Sequence, residues 1–337
     1  MYAKNIKDAR KGVSQGIISA ASWGINTVVI GIILEKTPYI DTKQAILLAP
    51  FVSSFMHDFF SSLWMLLFML VKGEFNQVVK YLKTRNGKVI ALGAVIGGPV
   101  GMTCYFLSVK YIGPIYTASI TSIFPGVGAL LAFIFLKEKM NRRTWFGVLL
   151  SIIGVVVLGY MPSEASANHN FVLGILFALG GALAWGLEGV ICAWGMKGED
   201  ADPFQAVTIR QTTSALCYAV IITPFIHGYS LTFEVLSSTV VWLTVISALL
   251  GSICYALYYK SIHLIGAARG TSLNITYAAF AIVIQVAFLG TPVSLQLVIG
   301  TLVVLYGSIL VSGNLKELIH ISDDFDNNEV EASEISG

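Results

Sequence analysis

Ten apolar runs follow one another along this chain, at about residues 13–34, 47–71, 88–109, 115–136, 144–161, 171–193, 203–226, 239–259, 267–289 and 293–313. Each approaches the ~20 residues that an α-helix needs to cross hydrocarbon. Lipid offers no partner to a backbone N–H or C=O, so only helices and closed barrels span it. The runs lack the period-two alternation of barrel strands, and their short connections make successive helices antiparallel. The sequence therefore predicts an all-α membrane protein with ten transmembrane helices. Composition agrees: 55% of the residues are apolar and 12% charged, where a soluble domain carries about 25% charged, and the mean hydropathy is +0.76.

Charge sets the direction of the helices, because cytoplasmic connections keep an excess of Lys and Arg. Lys4, Lys7, Arg10 and Lys11 precede the first run, Lys72, Lys80, Lys83, Arg85 and Lys88 follow the second, and Lys137, Lys139, Arg142 and Arg143 follow the fourth. Lys197, Lys260, Arg269 and Lys316 continue on the same side, whereas the other side has only Lys36, Lys43 and Lys110. Both termini are expected in the cytoplasm, with the chain multi-pass in the plasma membrane. The basic start resembles a secretory leader, but the apolar stretch after it runs on to Leu34, too long for one, so it is read as the first helix. Cys104, Cys192, Cys217 and Cys254 each lie inside an apolar run and read as reduced packing residues.

The second half repeats the first at a shift of 153 residues: Pro50-Phe51 falls on Pro203-Phe204, Tyr105 on Tyr258, Ile112-Gly113 on Ile265-Gly266, Ser119 on Ser272, Gly147 on Gly300 and Gly154 on Gly307. Trp23-Gly24 falls on Trp185-Gly186 once nine extra residues in the first loop are removed. Five helices per half is an odd number, so the halves enter the membrane from opposite sides. Inverted repeats of this kind belong to alternating-access carriers, with the solute site between the halves near mid-membrane. The predicted organisation is a first repeat over 1–162, a second over 163–314, and an acidic, disordered cytoplasmic tail over 315–337.

An ionisable group inside hydrocarbon costs about 2.5–3.5 kcal/mol on insertion scales, so each one calls for a reason. Glu188 lies one turn beyond Trp185, and its repeat counterpart Asn26 lies one turn beyond Trp23. His57 and Asp58 have Arg210 and Gln211 as counterparts. Two roles stay open for Glu188: a structural ion pair with Arg210, or the counter-ion of a cationic solute, for which an Asp58 partnership with His57 or Arg210 would free it. Trp and Tyr faces hold cations in apolar sites, and Trp23, Trp185, Tyr105, Tyr255, Tyr258 and Tyr277 join Glu188 and Asn26 as the candidate site lining; Trp64, Trp145, Trp194 and Trp242 suit interfacial belts or packing. Asn274 and Gln285 suit helix packing, while Gly97, Gly98, Pro99 and Gly101 loosen the third helix, and Pro125, Gly126 and Gly128 the fourth. His57, Asp58 and Glu188 are also candidate proton carriers. A net charge of +2 offers no basic face for nucleic acid. No hydrolase, phosphate-cradle or zinc-ligand motif stands in recognisable context, so neither an enzyme, a cofactor nor a bound metal is expected.

The duplicated five-helix unit, the segment Ser119-Ile120-Thr121-Ser122-Ile123-Phe124-Pro125 leading to Leu136-Lys137-Glu138, and Gly147 with Gly154 resemble the drug/metabolite transporter superfamily, in particular its ten-helix EamA-type members, over residues 12–314. The second copy departs from the pattern at Gly290-Thr291-Pro292. A narrower resemblance, carried by Ala184-Trp185-Gly186-Leu187-Glu188-Gly189-Val190-Ile191, Gly195-Met196-Lys197 and Ile209-Arg210-Gln211, is to the LicB-type choline-uptake permeases of bacteria. It implies a quaternary ammonium substrate held by an acid and aromatic side chains, here Glu188 with Trp185 and Trp23. The expected partners are thus a small organic cation and the lipid bilayer. Two other functions remain: export of amino acids or other neutral or zwitterionic metabolites, and a receptor or partner-binding subunit that transports nothing.

Overall fold

The computed structural model describes residues 6–137, 139–159, 169–195 and 202–312, and every regular element among them is helical. The acidic tail, Lys197 and Lys316 lie outside the described residues, as does the side chain of Trp194. In chain order the helices are α1 (Ile6–Leu34), α2 (Lys43–Val71), α3 (Phe75–Leu82), α4 (Arg85–Val95), α5 (Thr103–Thr121), α6 (Phe124–Phe135), α7 (Arg142–Gly159), α8 (His169–Gly195), α9 (Pro203–Cys217), α10 (Thr223–Phe225), α11 (Tyr229–Leu236), α12 (Val240–Ile265), α13 (Ala267–Asn274), α14 (Tyr277–Leu289) and α15 (Leu295–Ser312). Wider π-helical turns over Ile96–Met102 and Tyr218–Ile222 join α4 to α5 and α9 to α10.

Eight of the described helical stretches are long and apolar enough to cross a membrane. The difference from ten has local causes. The third and fourth runs meet in one stretch, Arg85–Thr121, whose backbone turns at Gly113 (φ 79°) ahead of Pro114. The rest of the fourth run is the short α6, set off by a break at Ser122-Ile123. The seventh run is α9 with α10, interrupted by the π-helical turn. Gly266 (φ 89°) and the break at Ile275-Thr276 stand at the register positions of Gly113 and Ser122-Ile123. Two helices in the connections, α3 and α11, were not expected; they also occupy equivalent register positions. Helix α3 turns Val78 inward while Val79 and Leu82 stay exposed beside Lys80, the pattern of a helix lying along an interface.

Helix packing joins elements far apart in the chain. Helix α1 packs on α12 and α14, and its counterpart α8 packs on α5 and α6; α2 packs on its own counterpart α9, and α7 on α15. The last pair is held by close backbone approach: a Cβ on Gly147 would stand 2.7 Å from the Gly307 carbonyl oxygen, and one on Gly154 would stand 3.0 Å from the Gly300 carbonyl oxygen. Residue 147 meets 307 while 154 meets 300, so the two helices run antiparallel.

Pro99 sits in the first π-helical turn and supplies no N–H to the helix ladder. Carbonyls of this turn also take side-chain donors: the Trp185 indole Nε1 donates to the Gly97 oxygen at 3.1 Å, and the Tyr218 hydroxyl to the Pro99 oxygen at 3.0 Å, beside the Thr103 N–H that the same oxygen accepts. The loosening expected from Gly97, Gly98, Pro99 and Gly101 thus takes a definite form, which tethers α4 and α5 to α8 and to the second π-helical turn.

Candidate functional site

A cavity of about 640 Å³ lies among α1, α8, α9, α12, α13 and α14. At one end stand Trp23, Trp185, Glu188, Arg210, Tyr255 and Tyr277; the other end reaches Pro203, Ile262, His263 and Ala267, where α9 and α13 begin and α12 ends. Six of the eight residues expected to line a site, or their hydroxyl and indole groups, come together here: Glu188, Trp23, Trp185, Tyr255, Tyr258 and Tyr277. Trp23 is the hub, with ring centroids 5.6 Å from Tyr105, 6.2 Å from Trp185 and 5.6 Å from Tyr255.

The other two candidates stand behind the wall. Tyr105 is fully buried, shares a 2.6 Å hydrogen bond with Thr27 and packs its ring on Trp23 and Trp185. Asn26 turns away from the cavity because it has polar partners elsewhere: its Oδ1 accepts from Ser247 at 2.6 Å and its amide nitrogen faces His57 Nε2 at 3.3 Å. With Nε2 accepting, the His57 ring proton rests on Nδ1 and is donated to Asp58 Oδ1 at 3.1 Å. The Ser214 hydroxyl donates to the other oxygen of Asp58. His57 and Asp58 therefore form a closed, fully buried network that supports Trp23 from behind, the His57 ring meeting it edge to face at 6.2 Å.

The question left open for Glu188 has an answer in this conformation. Arg210 Nε donates to Oε1 at 2.7 Å and Nη2 to Oε2 at 3.1 Å, a two-pronged pair in which the arginine is 1% exposed and the acid 9%. The Asp58–His57 partnership exists as well, yet it does not free Glu188, because Arg210 prefers the acid on α8. The guanidinium also lies 4.2 Å above the centre of the Tyr255 ring. Glu188 gets into place because residue 97 is glycine: a Cβ there would fall 1.8 Å from Oε2.

Several lining residues escaped the sequence reading. Phe124 enters from the break between α5 and α6, while Cys192 and Cys254 were taken for packing although the cavity reaches them. Asn274 does serve packing, donating to Ser19 Oγ at 2.7 Å, and it also borders the cavity. Trp145 and Trp242 are exposed on the outer surface, and Trp64 donates to the Val245 carbonyl at 3.2 Å.

Apolar membrane-length helices around a polar, aromatic cavity define a membrane protein with a solute-sized cavity among its helices. The chain belongs to the EamA-like transporter family, whose model matches residues 10–160 and 172–313. It is 31% identical over 193 residues to protein LicB of Haemophilus influenzae, a match covering 57% of this chain and 64% of LicB, so the alignment spans a little under two thirds of that relative. It is 26% identical over 252 residues to the uncharacterized transporter YyaM of Bacillus subtilis, covering 74% of this chain and 81% of YyaM. One crystal structure superposes with a TM-score of 0.54 at 16% identity, over 90% of this chain and 97% of the other, a likeness of fold alone.

Proposed function

We propose that this protein is a ten-helix carrier built of two inverted five-helix repeats, and that it takes up choline or a related quaternary amine by alternating access. The observation that carries the substrate reading is the seat of Arg210: a delocalised monocation already rests between the Tyr255 face and the Glu188 carboxylate, in a cavity walled by Trp23, Trp185, Tyr258 and Tyr277. A site that suits a guanidinium suits an ammonium of similar spread, each aromatic face contributing about 0.5–2 kcal/mol. The volume lies within the range of small-molecule sites. The antiparallel packing of Gly147 and Gly154 on Gly307 and Gly300, and the equivalent backbone turns at Gly113 and Gly266, support the inverted repeat. By the Lys and Arg count, the cavity end at Pro203, Ile262 and His263 faces the cytoplasm, so this is the inward-facing arrangement. An inside-negative potential favours entry of one positive charge by about 2.3 kcal/mol per 100 mV.

Flux of labelled choline into proteoliposomes tests this reading. Saturable uptake driven by a membrane potential or a pH gradient is expected; a response to pH alone would point to His57, Asp58 or Glu188 as the proton carrier. No saturable uptake under either gradient overturns the choline assignment.

The Glu188–Arg210 pair favours a second reading, export of an amino acid or another zwitterion, since a paired acid and base leave the site without net charge. Ligand competition in a thermal-shift assay separates the two, because a bound ligand stabilises the fold by mass action. Melting shifted by amino acids and not by quaternary amines selects the second.

A further inference from the structure

The proposed substrate needs the same two features that Arg210 already uses, and this has consequences for the transport cycle. An ammonium entering the cavity meets a carboxylate whose two oxygens are both engaged and a tyrosine face that is covered. We infer that Arg210 is a tethered stand-in for the substrate cation: it occupies the cation seat while the carrier is empty and yields it when the substrate arrives. The inference rests on the cation-carrier reading above.

Three observations support displacement over a permanent brace. Among the described residues the guanidinium makes one further hydrogen bond, a long 3.4 Å approach from Nη1 to Gln211 Oε1, so Glu188 and Tyr255 hold its charge most closely. Both the acid and the arginine border the open cavity, so a ligand reaches the pair without unfolding anything. A second carboxylate stands against the next turn of α9: Asp58 of α2, with His57 on one oxygen, takes on the other the hydroxyl of Ser214, four residues after Arg210, which a guanidinium can replace. The arginine therefore has an acid to go to when the substrate takes Glu188.

The benefit is in the return step. A carrier that reorients with Glu188 bare moves an unpaired buried charge through a low-dielectric interior, which is costly. With Arg210 in the seat, the empty carrier presents a neutralised acid, and with substrate in the seat it does so again. The cost falls on affinity, because the substrate binds only the fraction of molecules whose seat is vacated.

The test uses purified full-length protein, with choline and tetramethylammonium as probes, and the variants Arg210→Gln and Arg210→Lys. Choline should bind Arg210→Gln about tenfold more tightly than the wild type, as expected when a competitor that fills nine-tenths of the seats is removed. In proteoliposomes the ratio of choline exchange to net uptake should rise by about the same factor, because only net uptake needs the empty carrier to return. Lysine, a point charge that cannot fork onto both oxygens while stacking, should give an intermediate affinity; it also serves should the glutamine variant fail to fold. Affinity unchanged or weakened in the variants, or exchange and net uptake falling together, overturns the inference while leaving the carrier reading intact. Failure of that reading is read on the wild type alone, as absence of both quaternary-amine binding and uptake.

Discussion

Trp23 and Trp185, the residues that occupy equivalent places in the two halves of the sequence, meet each other edge to face with ring centroids 6.2 Å apart. Both line the cavity, and each is followed by a glycine at a close helix contact: a Cβ on Gly24 would stand 2.6 Å from Phe280 Cβ, and one on Gly186 would stand 2.9 Å from the Gly128 nitrogen. The cavity wall therefore forms where residues at matching register positions touch.

Replacement of either indole should weaken cation binding. Trp185→Phe keeps an aromatic face but loses the donor to the Gly97 carbonyl, and Trp23→Leu removes a face altogether. At about 0.5–2 kcal/mol per face, the choline KM for uptake should rise between about twofold and thirtyfold. A KM unchanged in both variants would place the substrate elsewhere.

The Glu188–Arg210 pair should behave as a coupled unit. Glu188→Gln strands a buried guanidinium, and Arg210→Gln strands a buried carboxylate; breaking such a pair costs about 3–5 kcal/mol. The double variant should recover most of that stability and bind no quaternary amine. Melting temperatures of the four proteins in detergent, with and without choline, close the cycle. Additive losses in the double variant would mean the pair contributes nothing as a pair.

Gly97→Ala probes the same acid without touching its charge. The new methyl would occupy the position of Glu188 Oε2, and the flexible acid side chain must swing away. Choline affinity should fall about tenfold or more, as expected for losing a buried charge-assisted contact of about 1.5–3 kcal/mol. Retained affinity would show that Glu188 reaches its ligand from another rotamer.

Behind the cavity, Ser214→Ala should act both on stability and on where Arg210 rests. Asp58 is fully buried and loses one of its two donors, an expense of about 1–3 kcal/mol for an unsatisfied polar atom. The melting temperature should drop, while the Asp58 oxygen left open to Arg210 should lower the choline KM of the folded protein below the wild type. A lower melting temperature with an unchanged KM would show that Asp58 takes no part in vacating the seat.

The membrane class, most of the helix positions and the 153-residue register were legible in the amino-acid sequence, because each rests on a local property: run length, period, and the recurrence of Gly, Pro and Trp at fixed spacing. The candidate list was legible for the same reason, since an ionisable residue or a Trp amid apolar neighbours stands out without any partner in view. What tertiary structure alone decided is which side chain meets which. Asn26 and Tyr105 share the spacing of cavity residues, yet Ser247, His57 and Thr27 offer them partners on the far side. Arg210 had Asp58 and Glu188 as possible partners at similar depth, and the choice depended on Gly97, in the π-helical turn that follows α4, leaving room for one carboxylate. Helix breaks at Ser122 and Ile275 were likewise hidden, since neither is glycine or proline. Pairing between distant helices depends on angles and depths of a few ångströms, and a one-dimensional pattern of apolar and polar residues carries no record of them.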